Sequence, residues 1–238
     1  PGDGWFGVAW DQLTLGHFAR LHSDLGFERP LLNSLVFAST LSVAATLACA
    51  MGGYALAKFR FRGRVALTAL VLGMLVVPGT LLLAPTYRLL YQLGLLDTYA
   101  GVLLPLAAPA FGVFLFRQAA GSTVPDALLE AARLDGAGEV RTFFAIVVPL
   151  LRPMIGAFML ITFLNTWNNF IWPQVVLQTG ARYPLSVAIA QLKSVYSQDY
   201  GLLMAATLVS ILPVLLLFLT LQRDFIAVVR YQGPQANG

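Results

Sequence analysis

Three asparagines and an indole carry the polar chemistry of one otherwise apolar stretch. Asn165, Asn168, Asn169 and Trp172 recur at helical spacing with Val176 and share one stripe, while Gln174 lies on the opposite side. Amides within a bilayer-length apolar run are costly unless they face protein or water. A sugar presents hydroxyl donors and acceptors along its rim and apolar C–H faces, and amides with an indole match both. The same residues can instead bond neighbouring helices and hold a bundle together. Spacing on one helix leaves both readings open.

Little else in the chain offers catalysis. There is no G-x-x-x-x-G-K-[ST] loop, so no nucleotide is held by that route. His17 and His22, the only histidines, stand in the N-terminal stretch without a ligand cluster around them. No nucleophile-and-base spacing occurs, and no carboxylate sits mid-span to relay protons or coordinate Na⁺. The single Cys49 lies among Ala, Leu and Thr, which reads as packing rather than a disulfide or metal framework. Together these absences argue against an enzyme, a self-powered pump and an ion-coupled carrier.

A second pattern is a polar island running from Val124 to Pro153 between apolar segments. It carries Asp126, Glu130, Asp135 and Glu139 among Arg133, Arg141 and Arg152. Its punctuation is helical. Ser122 and Thr123 can cap, Pro125 suits a first turn, Asp126 and Glu130 sit near the positive end, and Gly136 can take a left-handed stop. The pattern predicts a short surface helix over Ala127–Leu134, a bend, and a second helix leading into the next apolar run. Leu128, Leu129, Ala131, Ala132 and Leu134 would give the first helix a small apolar surface, with Glu130, Arg133 and Asp135 at its edges. So many small apolar residues on a surface helix point to an external partner.

The elements that must position these residues cross a bilayer. Apolar residues make up 58% of the chain and charged residues 11%, against about a quarter charged in a soluble domain. Mean hydropathy is +0.75. Five runs are long enough to cross roughly 30 Å of hydrocarbon: Leu31–Ala57, Val65–Tyr87, Tyr99–Phe116, Ile155–Leu177 and Leu202–Leu221. The expected fold is an all-α polytopic membrane bundle. Residues 1–30 are polar and contain no span, and a preceding outward-going span is expected, which would make six. Pro78, Pro105, Pro109 and Pro213 fall within the runs as kinks or hinges.

Basic residues orient the bundle. Lys58, Arg60, Arg62, Arg64, Arg117, Arg133, Arg141, Arg152, Arg223 and Arg230 fall on one side, and Arg20, Arg29, Arg88, Arg182 and Lys193 on the other. The positive-inside rule then places the loop 118–153, which contains the polar island, and the tail 227–238 in the cytoplasm and residues 1–30 outside. The basic pI near 9.5 reflects topology and anionic headgroups. No basic patch interleaved with stacking aromatics supports nucleic-acid binding.

Glu130-Ala131-Ala132, three residues, Gly136, nine residues, then Ile146-x-Val148-Pro149 closely resembles the E-A-A-x3-G-x9-I-x-L-P signature of permease subunits in binding-protein-dependent ABC importers. Val148 replaces the usual Leu. Gly94-Leu95-Leu96-Asp97-Thr98-Tyr99, Leu104-Pro105, Phe111-Gly112-x-Phe114-Leu115-Phe116-Arg117-Gln118 and Thr166-Trp167-Asn168-Asn169-Phe170-Ile171-Trp172-Pro173 resemble its carbohydrate branch, as does Ala55-x-Ala57-Lys58-Phe59-Arg60-Phe61-Arg62-Gly63-Arg64. More narrowly they are similar to the second permease of maltose-, glycerol-phosphate- and trehalose-type systems. The likeness spans about Leu31 to Ile226, and Arg230-Tyr231-Gln232-Gly233-Pro234 departs from the family's Gly/Lys-rich tail.

The resemblance implies a type-I ABC importer transmembrane domain over 31–226 in a bacterial cytoplasmic membrane. It implies a second permease, an ATPase dimer that binds the ATP and Mg, an extracytoplasmic solute-binding protein, and a sugar or polyol as cargo. No cofactor is expected in this chain itself. Glu130, Ala131, Ala132, Leu134, Asp135 and Gly136 match the coupling helix, which in the family seats in a cleft of the ATPase. Asn165, Asn168, Asn169 and Trp172 would line the translocation path. The competing class is a self-sufficient carrier or channel that uses the asparagine stripe without ATP.

Overall fold

In the computed structural model, residues 14–23, 26–195 and 200–231 are described, except for the side chains of 193–195 and 220–231. Residues 1–13 and 24–25 of the segment 1–30 expected outside, and the end of the tail over 232–238, lie outside the described residues.

Helix α1 (Gly16–Ser23) precedes the central element, α2 (Glu28–Lys58). At 31 residues, α2 is roughly 46 Å long at 1.5 Å per residue, more than a bilayer's apolar thickness. Phe37, Leu41, Ala45, Cys49 and Gly53 repeat every fourth residue on its buried face, while Val36, Val43, Leu47 and Met51 are exposed on the other. A helix apolar on every side, with only one side covered by its own chain, is suited to lipid or a second membrane subunit.

Helix α3 (Arg64–Val76) buries none of its residues. The apolar run 65–87, expected as one span, is not one helix. Val77 is extended before Pro78, a short 3-10 turn follows over Gly79–Leu82, and α4 (Leu83–Gln92) leaves at 102° to α3. The cause is local. Proline disfavours helical backbone in the residue before it and lacks the amide the helix needs.

The run 99–116 is likewise divided into α5 (Tyr99–Leu103), a 3-10 turn carrying Pro105, and α6 (Ala110–Thr123), with a 44° bend. Next come α7 (Asp126–Leu134), α8 (Glu139–Thr142), a π-turn over Phe143–Val147, α9 (Val148–Leu150) and α10 (Arg152–Trp167). The segment 139–150 meets α10 at 83°. The expected run 155–177 breaks after Trp167 and resumes as α11 (Ile171–Val176). Finally α12 (Leu185–Val195) leads to α13 (Tyr200–Tyr231), which contains Pro213 without a break and runs past the expected domain boundary at 226. Among the described residues, α2 and α13 are unbroken spans, and counting each bent pair as one gives up to five.

Packing centres on α2, which lies against α6 and α10. Glycine makes the first contact possible. A Cβ on Gly53 would sit 2.5 Å from the Arg117 amide nitrogen, and one on Gly112 would sit 2.6 Å from the Cys49 sulfur. Backbones can come this close only without side chains between them. Around this contact Tyr54, Phe116, Leu129, Phe143, Val147 and Phe158 form a buried cluster that ties α7 and the π-turn to the bundle.

Candidate coupling surface and translocation groove

Helix α7 forms where the sequence predicts it, one residue longer at its start. Ser122 and Thr123 do not cap it, because both complete α6, and the Ser122 hydroxyl donates back to the Gln118 carbonyl at 3.1 Å. Pro125 takes the N-cap position instead, with no side-chain cap bond. The C-terminus ends as expected. Gly136 has φ +76°, its amide donates to Arg133 O at 3.0 Å, and the Ala137 amide donates to Ala132 O at 2.9 Å. That paired closure is the Schellman arrangement, which needs a left-handed residue at this position.

The apolar surface of α7 is divided between two faces. Leu129 and Ala132 turn inward, 3% and 8% exposed, so Ala132 packs on its own bundle rather than presenting itself to a partner. Leu128, Ala131 and Leu134 face outward, and Leu134 is 89% exposed. Glu130, Asp135 and Gly136 are exposed beside them. An exposed leucine flanked by acids and a small residue is a docking face of modest size.

Two ion pairs fix the pose of α7. Lys58 Nζ, at the C-terminal end of α2, donates to Asp126 Oδ1 at 2.7 Å, and Arg133 Nε donates to Glu139 Oε1 at 2.9 Å across the bend into α8. The Lys58 hydrogen bond, aided by its charge, holds the Asp126 carboxyl below its ordinary range. The bond from Arg133 to Glu139 raises the guanidinium in turn. Both ends of α7 are thereby tethered, one to a long membrane helix and the other to the segment leading into α10.

The asparagine stripe is not continuous. Its spacing presumes one helix through Val176, but the helix stops at Trp167 and the backbone bends across Asn168–Phe170. Asn165 and Asn168 are exposed, and the Asn168 amide donates to Leu164 O of its own helix at 2.8 Å. Asn169 stands just before Phe170, the N-cap of the restart, and its Oδ1 accepts from the Trp172 amide at 3.3 Å. The Trp172 indole is buried and donates to Val102 O at 3.1 Å. Of the four candidates, only Asn169 and Trp172 line a groove, of about 510 Å³, closed on its other sides by Gly79, Thr80, Thr86 and Pro105 among others. Gln174 is exposed and lies outside that lining.

Sequence reasoning missed Thr80 and Thr86, which supply hydroxyls to the same groove. The signal was Pro78-Gly79, a chain-breaking pair that folds this segment against Asn169. Also missed was Asn33, whose amide donates to Ala181 O and Tyr183 O at 3.0 Å and accepts from the Tyr99 hydroxyl at 2.9 Å. Asn33 is thus an amide that bonds between elements.

On that same end of the bundle Asp97 organises a loop. Its carboxylate accepts from the Gln178 and Thr179 amides at 2.9 and 3.0 Å, from the Thr179 hydroxyl at 2.5 Å and from Arg182 at 2.6 Å. These bonds, the Thr179 hydroxyl first, lower its pKa from 3.8 to about 2. Asp97 itself has φ +55°, a left-handed conformation that aspartate tolerates better than most residues.

The family described as the binding-protein-dependent transport system inner membrane component matches residues 24–227. The chain belongs to this family. This permease is 38% identical over 222 residues to the arabinooligosaccharides transport system permease protein AraQ of Halalkalibacterium halodurans, covering 93% of this chain and 79% of that one. It is 36% identical to the sn-glycerol-3-phosphate transport system permease protein UgpE of Yersinia pestis, over 91% and 78% of the two chains. A crystal structure of a bacterial ABC transporter involved in the import of the acidic polysaccharide alginate contains a chain of the same fold. That chain matches with a TM-score of 0.77 at 25% identity, over 90% of this permease and 80% of itself. The all-α membrane fold of an ABC importer permease, and a role as a transport subunit rather than an enzyme, therefore stand.

Proposed function

We propose that this inner-membrane permease pairs with a second permease to form the path for a sugar or related polyol, delivered by a solute-binding protein. A separate ATPase dimer binds ATP and Mg and moves the path through α7, and this chain needs no cofactor of its own. The observation that carries the reading is the pose of α7. Its Leu134 is almost fully exposed while one end is tied to α2 and the other to the segment leading into α10. A rigid, tethered helix with an unpartnered apolar face is a means of passing displacement from a docked protein into the bundle.

The groove supports the cargo class. Its lining combines the Asn169 amide, two threonine hydroxyls and the apolar faces of Trp172 and Ile171, and holds no charged side chain. That chemistry suits an uncharged polyhydroxylated solute. In this reading α7 and the end of α13 face the cytoplasm, and Asp97 with its loop faces outward. The test is reconstitution of the permease pair, ATPase and binding protein in vesicles. Uptake should require ATP and all components, and uptake by this subunit alone would favour a self-sufficient carrier. Single cysteines at Arg62 and Asp135 should react with an impermeant reagent only from the ATPase side, and one at Asp97 only from the other.

A further inference from the structure

Two cavities at the junction of α2 and α3 share two arginines. The first, about 770 Å³, lies between the end of α2 and α7 and is lined by Lys58, Arg60, Arg64 and Arg133 together with Asp126 and Glu130. The second, about 560 Å³, is a shallow apolar groove running from Arg60, Phe61 and Arg64 along Val65, Ala66 and Ala69. Within the first cavity, Lys58 and Arg133 are already engaged by Asp126 and Glu139. Among the described residues Arg60 makes no ion pair, and Arg64 donates to the Ala57 carbonyl alone, at 3.0 Å.

The position of these residues defines the environment. Lys58 ends a bilayer-length helix and Arg64 begins the next apolar one, so the loop between them lies at the membrane–water interface. Val65 and Ala69 are one helical turn apart on one side of α3, and Val65 is 84% exposed. Two guanidinium groups with no carboxylate paired to them among the described residues therefore stand at headgroup level, directly beside an open apolar channel descending along α3. A soluble anion would use the charges but leave the channel empty, and a neutral lipid would do the opposite.

We propose that this junction binds an anionic phospholipid, its phosphate held by Arg60 and Arg64 and one acyl chain laid along Val65, Ala66 and Ala69. Arginine matches a phosphate with paired, charge-assisted bonds, and anionic lipids concentrate positive juxtamembrane segments at the bilayer surface. The headgroup would sit beside the Lys58–Asp126 contact, so lipid charge and the pose of α7 are neighbours. The assignment does not depend on which solute the permease carries.

The test is native mass spectrometry of the assembled importer taken from phosphatidylcholine vesicles with and without phosphatidylglycerol. The wild-type complex should retain phosphatidylglycerol in preference to phosphatidylcholine. Arg60→Gln should lower retention about tenfold by removing charge, and Ala66→Trp should do the same by filling the channel. Arg152→Gln, an exposed arginine elsewhere, should change nothing. Excess inorganic phosphate should not displace the lipid. Equal retention of both lipids, retention unchanged in Arg60→Gln or Ala66→Trp, or displacement by phosphate alone would overturn the assignment. Loss of the ATPase from the Arg60→Gln complex would also overturn it, by giving the cavity to a protein partner.

Discussion

Lys58 Nζ and Asp126 Oδ1 meet at 2.7 Å across 68 residues of chain, joining the C-terminal end of α2 to the first turn of α7. The lysine side chain is 9% exposed and the aspartate 74%. The stem of Lys58 is thus packed while its charge reaches a partner at the surface, as long basic side chains favour. Any displacement of α7 pulls on the helix that organises the bundle.

Breaking this contact should loosen coupling more than folding, since the core around Tyr54 and Phe116 does not depend on it. Lys58→Met and Asp126→Asn are each expected to lower ATP-driven uptake several-fold with the complex still assembled. The exchanged pair Lys58→Asp with Asp126→Lys should recover part of it. Uptake in reconstituted vesicles checks this, and a double variant no better than the singles would remove the ion pair from the pathway of force.

The two alanines of the Glu130-Ala131-Ala132 motif should behave differently. A cysteine at Ala131 should crosslink to the docked ATPase, whereas one at Ala132, packed against the bundle, should not. Crosslinking followed on a gel decides it, and strong crosslinking at Ala132 would mean that α7 rotates on docking.

In the groove, Asn169→Ala should impair uptake while Asn165→Ala and Asn168→Ala should have little effect. Asn169 also holds the first turn of α11 through the Trp172 amide, so part of its effect is structural, of the order of 1 kcal/mol for a lost hydrogen bond. Asn169→Asp keeps that acceptor and adds a charge. It should restore thermal stability yet leave uptake of a neutral solute low. Uptake and melting temperature measured side by side separate these contributions, and equal losses from all three alanine variants would restore the continuous stripe.

The contrast between these residues shows what the sequence carried. The bounds of α2 and α7 were legible to within three residues, since apolar length and helix punctuation act locally. Gly136 was legible because a left-handed stop leaves few alternatives to glycine. The 102° turn at Pro78 was not, because hydropathy averages over a window and is blind to one residue's backbone. The asparagine stripe failed for a related reason. A 3.6-residue period is meaningful only while the helix continues, and Asn168–Phe170 interrupt it. The inward turn of Leu129 and Ala132 depends on where α2 and the π-turn lie, which no local pattern states.

The Asp97 loop should soften in acid. Its carboxyl titrates lower in the folded chain, about 2 against 3.8, so its stabilising effect is present above about pH 4 and disappears as pH falls toward 2. Asp97→Asn should remove that acid sensitivity and loosen the 178–182 segment at neutral pH. Hydrogen exchange of the Gln178 and Thr179 amides, followed with pH, reads it directly. Protection unchanged from pH 5 to pH 2 would contradict the assignment.

The most direct test of the account measures ATP hydrolysis and solute uptake together in the reconstituted assembly carrying Gly136→Val. A left-handed conformation costs a non-glycine residue about 1–2 kcal/mol, more for a branched one. Apart from its two chain neighbours, no atom of the described residues lies within 4 Å of a Cβ placed there, so the bundle itself has room for it. The prediction is an assembled complex whose uptake falls about tenfold or more relative to the ATP it hydrolyses, with Gly136→Ala intermediate. Uptake per ATP equal to wild type would contradict the claim that α7 transmits the work.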